Sequence, residues 1–226
     1  MKVIALSDLH GDLIPIKEEC DLVCICGDIV PLQIQSGSRK TKHWLRNKFK
    51  PWCESLPCNK VLFISGNHDI YTQDLEFMYS VFPRENKVTY LFHEEYIYNY
   101  NNKEYHIFGT PYCKIFGNWA FMDTDERLKS LYNQIPEGLD ILMTHDQPFG
   151  WGDILEQKLY WNNTEEHIGN KPLTEAILLK QPKYLFCGHL HSTTHECVKI
   201  DKTNRYNVSI KDEMYNIAYP PLIISI

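Results

Sequence analysis

The chain has 226 residues, a length that can bury one sizeable hydrophobic core, and we expect a single domain over residues 1–226. Hydrophobic residues make up 43% and charged residues 23%, which is ordinary for a globular protein and excludes intrinsic disorder. The formal net charge of -6 predicts no polyanion-binding surface, so any affinity for phosphate must be local.

The first apolar run, residues 3–6, stops at the polar pair Ser7-Asp8. It is too short for a signal-peptide core or a membrane-spanning helix, so we expect a cytoplasmic protein with no membrane partner. The cysteines lack the paired spacing of a zinc ribbon. We expect most of them to be buried free thiols, as a reducing compartment favours.

Short apolar runs that stop abruptly at polar or glycine residues recur along the whole chain. They cover residues 3–6, 22–26, 61–64, 106–108, 141–143 and 184–187. Runs of this length that are continuous rather than alternating predict β-strands covered on both faces. Helix signals lie between them, and strands alternating with helices predict an α/β sheet.

Two helices have clear start signals. Thr124 or Asp123 can cap a helix that carries Leu128, Leu131 and Ile135 on one face and ends before Pro136. Pro172 stands where the first position of a second helix would be.

A third helix is predicted within about residues 39–50, and Pro51 leaves its C-terminal boundary open, because proline disrupts a helix interior. The tail shows apolar runs at residues 198–200, 207–210 and 222–226 without a helix signal. We expect these runs to add antiparallel strands to the sheet.

Five of the apolar runs are followed by residues that can bind metal ions. The segments are Asp8-Leu9-His10, Gly27-Asp28, Gly66-Asn67-His68-Asp69, Thr144-His145-Asp146 and Gly188-His189-Leu190-His191. A G-N-H-D run alone is expected by chance in something on the order of one chain in a thousand. Because ligands bind at the carboxyl ends of strands in open α/β sheets, we expect the five segments to form one site.

The residue types indicate the chemistry of that site. Carboxylate oxygen, amide oxygen and neutral imidazole hold hard and borderline divalent metals, and a set without thiolate argues against a structural zinc site. Two metals about 3.5 to 4 Å apart can activate a shared water and clamp a phosphoryl group. Such ions would make the cleft locally positive despite the chain's negative charge.

The five segments resemble the motifs of the calcineurin-like metallophosphoesterase superfamily, which are D-x-H, G-D, G-N-H-[DE], a lone H and G-H-x-H. The resemblance implies an α/β fold, a four-layer sandwich of two mixed β-sheets flanked by helices. It also implies hydrolysis of a phosphomonoester or phosphodiester by a hydroxide that bridges two divalent metal ions. Manganese, iron and zinc are all chemically admissible, and a small phosphoester is the expected substrate, a nucleotide among the candidates.

The resemblance also implies roles for individual residues. The first metal would be bound by Asp8, His10, Asp28 and His191. The second would be bound by Asp28 as the bridge, together with Asn67, His145 and His189. His68 would lie beside the leaving-group oxygen as general acid or transition-state stabiliser. Asp12, Asp69 and Asp146 are expected to support ligand imidazoles or to cap backbone amides, rather than to bind metal.

A narrower resemblance is carried by residues 107–112, 119–121 and 144–150. They are similar to the metallophosphoesterase-domain-containing subgroup that includes mammalian cyclic-nucleotide phosphodiesterases. In that subgroup glycine usually follows the lone histidine, whereas in this chain Asp146 and Gln147 follow His145. This difference predicts an added negative charge near the second metal. It weakens the inference that this chain acts on the same substrate as that subgroup.

The sequence leaves three alternatives to a phosphoesterase of small molecules. A catalytically silent binding or scaffold module could dispense with Asn67 or His68, and both are present. Ser/Thr protein phosphatases of the superfamily carry an Asp-Arg pair where this chain has Pro31-Leu32. The nuclease branch of the superfamily has a long DNA-binding region after the G-H-x-H motif, whereas only residues 192–226 follow that motif here.

Aromatic residues near the motifs can stack on a nucleobase, but packing is their usual role and we expect it here. They are Tyr112, Trp119, Phe121, Trp151, Tyr160 and Trp161.

Overall fold

The structure is a computed structural model that describes residues 1–154 and 167–226, so Tyr160 and Trp161 lie outside the described residues. In the first half of the chain the strands are β1 (Lys2–Leu6), β2 (Cys20–Cys26), β3 (Cys58–Ile64), β4 (Val88–Tyr90), β5 (Glu94–Tyr100) and β6 (Lys103–Thr110). The later strands are β7 (Cys113–Lys114), β8 (Met122–Asp123), β9 (Ile141–Thr144), β10 (Tyr184–Cys187), β11 (Val198–Ile200), β12 (Thr203–Asn207) and β13 (Leu222–Ser225). The helices are α1 (Ser38–Trp44), α2 (Lys50–Ser55), α3 (Leu75–Val81), α4 (Asp125–Tyr132) and α5 (Lys171–Lys180).

Two large mixed sheets organise the fold. The first has the order β13-β1-β2-β3-β4, in which β1 to β4 run parallel and β13 pairs antiparallel with β1. The second has the order β11-β12-β10-β9-β6-β5, with four parallel central strands and an antiparallel strand at each edge. The predicted α/β class with two mixed sheets is confirmed.

Three hydrophobic cores separate four layers of structure. Along β1, Ile4 and Leu6 pack in the core shared with α2 and α3, whereas Val3 and Ala5 pack in the core between the two sheets. A third core joins the outer face of the second sheet to α4 and α5. The strands are therefore covered on both faces, which explains why their sequences are continuous apolar runs.

Helix α4 begins after the predicted cap Thr124, and α5 begins at Lys171, one residue before the start that Pro172 predicts. The Thr124 side chain accepts a hydrogen bond from the Arg127 amide at 3.4 Å, and the Asn170 side chain accepts one from the Leu173 amide at 3.0 Å. Pro172 lies in the first turn of α5, where its missing N–H costs nothing. Helix α4 ends at Tyr132, so Ile135 is buried in the following loop and not in the helix.

The helix predicted within about residues 39–50 continues past Pro51, which settles the boundary that the sequence left open. Helix α1 passes through a π-helical turn, Leu45–Phe49, directly into α2, which continues beyond Pro51 to Ser55. A proline clashes with the carbonyl four residues before it in a regular helix, and the wider π turn before Pro51 relieves that conflict.

The tail differs from the prediction in one strand. The strand β12 occupies Thr203–Asn207 instead of residues 207–210, and it pairs parallel with β10. The reason is that β11 and β12 form a hairpin, which turns the chain back into the direction of β10. The antiparallel pairing of β13 with β1 agrees with the prediction.

The described cysteines are free thiols, and Cys24, Cys26, Cys53, Cys113 and Cys187 are buried, as expected for most of them. Across residues 1–154 and 167–226, none of the helices has the length and apolar character needed to cross a bilayer.

Candidate dinuclear metal centre

The candidate ligands lie at the carboxyl ends of parallel strands in both sheets. Asp8, Asp28 and Asn67 follow β1, β2 and β3, which are neighbours in the first sheet. His145 and His189 follow β9 and β10, which are neighbours in the second. Because neighbouring parallel strands end at the same edge, the folding of the two sheets brings these loops together.

Two buried clusters of ligand atoms form at this edge. In the first, ligand atoms of Asp8, His10 and His191 all lie within 4.8 Å of one another. In the second, the same holds for Asp8, Asp28 and His145. The clusters share Asp8, and one Asp28 oxygen links them, since Oδ2 lies 3.6 Å from Nε2 of His10 and 3.4 Å from Nε2 of His145.

Asn67 and His189 lie beside the second cluster. The Asn67 Oδ1 accepts a hydrogen bond from Nε2 of His145 at 3.0 Å. The His189 ring centroid is 5.1 Å from that of His145, and the His189 amide donates to the Asp8 carboxylate. Within the described parts of the chain, His189 is a member of neither three-residue cluster.

The site fits divalent cations by its unpaired atoms as well as by its donor types. Both ring nitrogens of His10 and the Nδ2 of Asn67 are buried without a hydrogen-bond partner among the described residues. A buried polar atom left unpaired costs about 1 to 3 kcal/mol, and coordination of a cation would remove that cost for a ring nitrogen. Carboxylate, amide and imidazole donors together suit manganese, iron or zinc.

Two motif glycines permit the close approach of the loops. A Cβ on Gly66 would lie 2.3 Å from Asp28 Oδ1, and a Cβ on Gly188 would lie 2.4 Å from Asp8 Oδ2. Any side chain at these positions would displace a candidate ligand carboxylate.

Four candidate ligands have left-handed backbone conformations that non-glycine residues seldom adopt. The φ angles are 58° at Asp8, 42° at His10, 49° at Asp28 and 69° at His189. Each costs on the order of 1 to 3 kcal/mol and persists only where surrounding contacts enforce it. At Asp28 one such contact is the His68 amide, which donates to Oδ1 at 2.8 Å. Strain concentrated in this way is typical of functional sites.

Ion pairs between the candidate ligands balance the buried charges of the site. Burial raises the pKa of Asp28, but the ion pair with His145 and the smaller effects of His10 and His68 together outweigh burial and hold this pKa well below its usual range. Burial conversely lowers the pKa of His145, and Asp28 overcomes that effect and raises it to about 10. Asp8 and His191 form the equivalent pair: the pKa of Asp8 is lowered, and that of His191 is raised to about 9.

The remaining histidines of the site are neutral near pH 7. Burial lowers the pKa of His10 and that of His189 to about 4 each. Burial also lowers the pKa of His68. Neutral imidazole is the form that binds metal, so His10 and His189 need lose no proton to serve as ligands.

Backbone carbonyls orient the two charged histidines. Nδ1 of His145 donates to the Cys26 carbonyl at 2.9 Å, and Nδ1 of His191 donates to the Asp212 carbonyl at 2.9 Å. These bonds leave each Nε2 directed at the carboxylates. The sequence did not indicate either contact, because every residue has a carbonyl and no side-chain type marks the one that is used.

The hydrogen bonds of Asp12, Asp69 and Asp146 go to groups other than the ligand imidazoles. Asp69 is buried and accepts hydrogen bonds from the backbone amides of Ile29, Val30 and Gly66, so it fastens the loop after β3 to the loop after β2. This is the capping alternative. Burial raises the pKa of Asp69 to about 7, and the negative charge of Asp28 adds to that effect.

Asp146 and Asp12 are also engaged elsewhere. Asp146 accepts from the Lys114 amide at 2.8 Å and from Nδ2 of Asn170 at 2.9 Å. Its negative charge still acts on His189, whose pKa it raises against the larger effect of burial. Asp12 forms an ion pair with Lys211. In the described part of the chain, none of the three carboxylates accepts a hydrogen bond from a ligand imidazole.

His68 has a neighbour that the sequence did not indicate. Nδ1 of His68 donates to Oε1 of Gln35 at 2.7 Å. Gln35 lies in the loop between β2 and α1, and the bond spans 33 positions of sequence, so only the tertiary structure reveals it. On its other side the His68 ring packs against Trp119, with ring centroids 4.3 Å apart.

Partly exposed aromatic side chains border the histidines of the site. Tyr215 is 39% exposed, and its ring lies 4.8 Å from His10. Phe116 is 54% exposed and lies 5.0 Å from His189, while Trp119 is 37% exposed. Partly exposed aromatic side chains therefore border the buried, charged residues of the site.

Two curated proteins are similar to this chain over most of its length. Metallophosphoesterase domain-containing protein 1 of Homo sapiens is 28% identical over 247 residues, which cover 100% of this chain and 71% of the human protein. The lariat debranching enzyme of Arabidopsis thaliana is 24% identical over 236 residues, which cover 84% of this chain and 54% of that protein.

Solved structures share the fold at low sequence identity. The phosphopantetheinyl hydrolase of Mycobacterium tuberculosis matches with a TM-score of 0.57 at 14% identity, covering 92% of this chain and 88% of that one. The protein TT1561 of Thermus thermophilus matches with a TM-score of 0.55 at 13% identity, covering 91% and 88%.

The family model described as calcineurin-like phosphoesterase matches residues 1–193, a range that contains all the candidate ligands. The chain therefore belongs to the calcineurin-like phosphoesterase family.

Proposed function

We propose that this protein hydrolyses a small phosphomonoester or phosphodiester with the help of two divalent metal ions. The observation that carries the proposal is the pair of buried ligand clusters that share Asp8 and are linked by Asp28. Membership of the phosphoesterase family supports the same reaction class.

The ligands divide between the two ions as follows. One ion would be held by Asp8, His10, Asp28 and His191. The other would be held by Asp28, Asn67, His145 and His189. When bound, two such ions supply Lewis acidity, lower the pKa of water and neutralise the phosphate oxygens.

His68 is the residue of the chain that we assign to the leaving group. Because Gln35 Oε1 can only accept, the bond between them keeps a proton on Nδ1 of His68. Because burial keeps most of the imidazole neutral near pH 7, the acid is the fraction of His68 that takes up a second proton, on Nε2, and gives it to a departing oxygen. The neutral Gln35 orients the ring without adding a negative charge, so His68 stays a stronger acid than it would beside a carboxylate.

The organic part of the substrate would lie against the aromatic side chains that border the site. Trp119 packs on His68 and Tyr215 packs on His10, so a leaving group beside His68 meets flat apolar surface. Aromatic surfaces of this kind suit a planar group, and a nucleotide is therefore a candidate substrate.

The proposal is tested with protein reconstituted separately with manganese, iron and zinc. Hydrolysis of p-nitrophenyl phosphate and bis-p-nitrophenyl phosphate is followed, and bound metal is measured by elemental analysis. Asp28→Asn is expected to lose metal and activity together. His68→Asn is expected to keep its metal and lose about 10²-fold or more in kcat.

His43→Asn is the matched control, because His43 is an exposed histidine of α1. It is expected to leave metal content and rate unchanged. Full activity of protein stripped of divalent ions would refute the proposal, and unchanged turnover by His68→Asn would refute the role of that histidine.

A further inference from the structure

The amino ends of β2 and β3 carry two thiols that are adjacent in space. Cys20 and Cys58 are the first residues of these strands and face each other in the parallel register. Both are half-buried, unlike the fully buried thiols of the cores. The metal-binding residues follow the opposite ends of the same strands, so this pair belongs to a separate part of the molecule.

The positions allow a covalent bond between the sulfurs. Neighbouring strands lie about 4.8 Å apart, and residues paired in register project from the same face of the sheet. Disulfide-linked cysteines have Cα atoms roughly 4.4 to 6.8 Å apart. A bond between Cys20 and Cys58 therefore requires no change of strand register.

The two thiols differ in their readiness to react. The interaction between the two neighbouring thiols raises the pKa of Cys20 and lowers that of Cys58. Burial opposes the lowering at Cys58, and the positive charge of Lys87 reinforces it. Thiolate is the nucleophilic form, and Lys87, whose Nζ donates to the Leu56 carbonyl at 2.7 Å, brings a positive charge near Cys58, so Cys58 is the attacking sulfur of the pair.

The pair is also open to a small reagent. A surface pocket of about 480 Å³ is lined by both cysteines and by Lys2, Asp21 and Asn59. The buried thiols do not have this access, and burial raises the pKa of Cys24 and that of Cys113 above the ordinary value.

We propose that Cys20 and Cys58 form a thiol–disulfide exchange site whose reaction partner is a low-molecular-weight disulfide. The Cys58 thiolate attacks one sulfur of the reagent, forming a mixed disulfide and releasing one reagent thiol. The Cys20 thiolate then attacks the Cys58 sulfur, forming the Cys20–Cys58 bond and releasing the second thiol. The two protein thiols are oxidised, and the reagent disulfide is reduced to two thiols.

The test uses the full chain incubated with oxidised glutathione. Free thiols are alkylated under denaturing conditions, and peptides are identified by mass spectrometry. The expected product is a Cys20–Cys58 disulfide that dithiothreitol reverses. Cys20→Ser is expected to stop at the mixed disulfide on Cys58, whereas Cys58→Ser is expected to leave Cys20 as a free thiol.

Cys197→Ser is the matched control, because Cys197 is an exposed cysteine outside the pocket. This variant is expected to form the Cys20–Cys58 bond as the parent does. The proposal is overturned if Cys20 and Cys58 stay alkylated as free thiols while Cys197 carries glutathione. A mixed disulfide on Cys20 in Cys58→Ser, equal in yield to that on Cys58 in Cys20→Ser, would overturn the assigned roles.

Discussion

Asp28 is the residue on which the contacts of the candidate site converge. Its Oδ2 lies between two imidazoles, while its Oδ1 accepts the amide of His68. The same side chain therefore links metal binding to the position of the proposed acid. This arrangement requires the left-handed backbone at Asp28 and the absence of a side chain at Gly66.

Gln35 offers a test of how His68 is oriented. Replacement by alanine removes the acceptor of the Nδ1 proton, so the imidazole loses its fixed direction. We expect Gln35→Ala to lower kcat about tenfold or more, with little change in KM or in metal content. Steady-state kinetics on bis-p-nitrophenyl phosphate measure both constants.

Gln35→Glu separates orientation from simple packing. A carboxylate restores the acceptor and favours the protonated imidazole, so the pKa of His68 rises. If His68 acts as an acid, the fall of kcat at high pH should move to higher pH in this variant. A pH profile identical to that of the parent, together with full activity of Gln35→Ala, would contradict the assigned role.

At the scale of elements, Gln147 ties the loop after β9 to the loop after β10. Its Nε2 donates to the carbonyls of Gly188 and Leu190, at 2.8 and 3.0 Å. Its Oε1 accepts from Thr193 at 3.0 Å and also from Arg205. Gln147 is one of the two residues at which this chain differs from the metallophosphoesterase-domain-containing subgroup. Its hydrogen bonds hold the loop that carries His189 and His191 in place.

Gln147→Ala is expected to weaken metal binding more than the removal of a surface side chain would. The loop loses three hydrogen bonds, and loss of groups that support metal ligands typically costs 10- to 100-fold in affinity, so we expect a loss of about this size. Titration of the metal-free protein with manganese or zinc measures the change. Gln134→Ala, at an exposed position after α4, should bind as the parent does, and equal affinities in all three proteins would contradict the role of Gln147.

At the scale of the whole molecule, the two sheets meet in one continuous core, and the site spans the ends of both. We propose that residues 1–226 form one domain that unfolds in a single transition. Because each sheet supplies ligands, metal binding should stabilise the whole protein rather than one part of it.

The stabilisation by metal should increase with pH. In the metal-free protein the pKa values of His145 and His191 are raised to about 10 and 9, above the ordinary 6.5. Their contribution to stability is therefore fully present below pH 6.5 and is lost as pH rises through these values. Metal must displace the same protons, so its binding is favoured as pH rises.

Thermal unfolding with and without a chelator checks this expectation. The difference in Tm between the metal-loaded and metal-free protein should grow from pH 6 to pH 9, with a single transition in both. A difference in Tm that shrinks over this range would contradict the displacement of protons from His145 and His191 by metal. Two separate transitions would contradict a single domain.

The sequence by itself determined the alternation of buried strands and polar strand ends. Continuous apolar runs specify strands covered on both faces, and rare combinations such as Gly66-Asn67-His68-Asp69 stand out against ordinary composition. Because the ends of parallel strands converge, these two features were enough to bring the candidate ligands into one expected site.

Only the tertiary structure decided what surrounds those ligands. The Cys26 and Asp212 carbonyls, the Gln35 acceptor and the hydrogen bonds of Asp69 and Asp146 all join segments that are distant in sequence. The parallel direction of β12 and the helix that continues through Pro51 also depend on packing against the rest of the chain. Local sequence patterns report local propensity, whereas these contacts exist only after the two sheets have packed together.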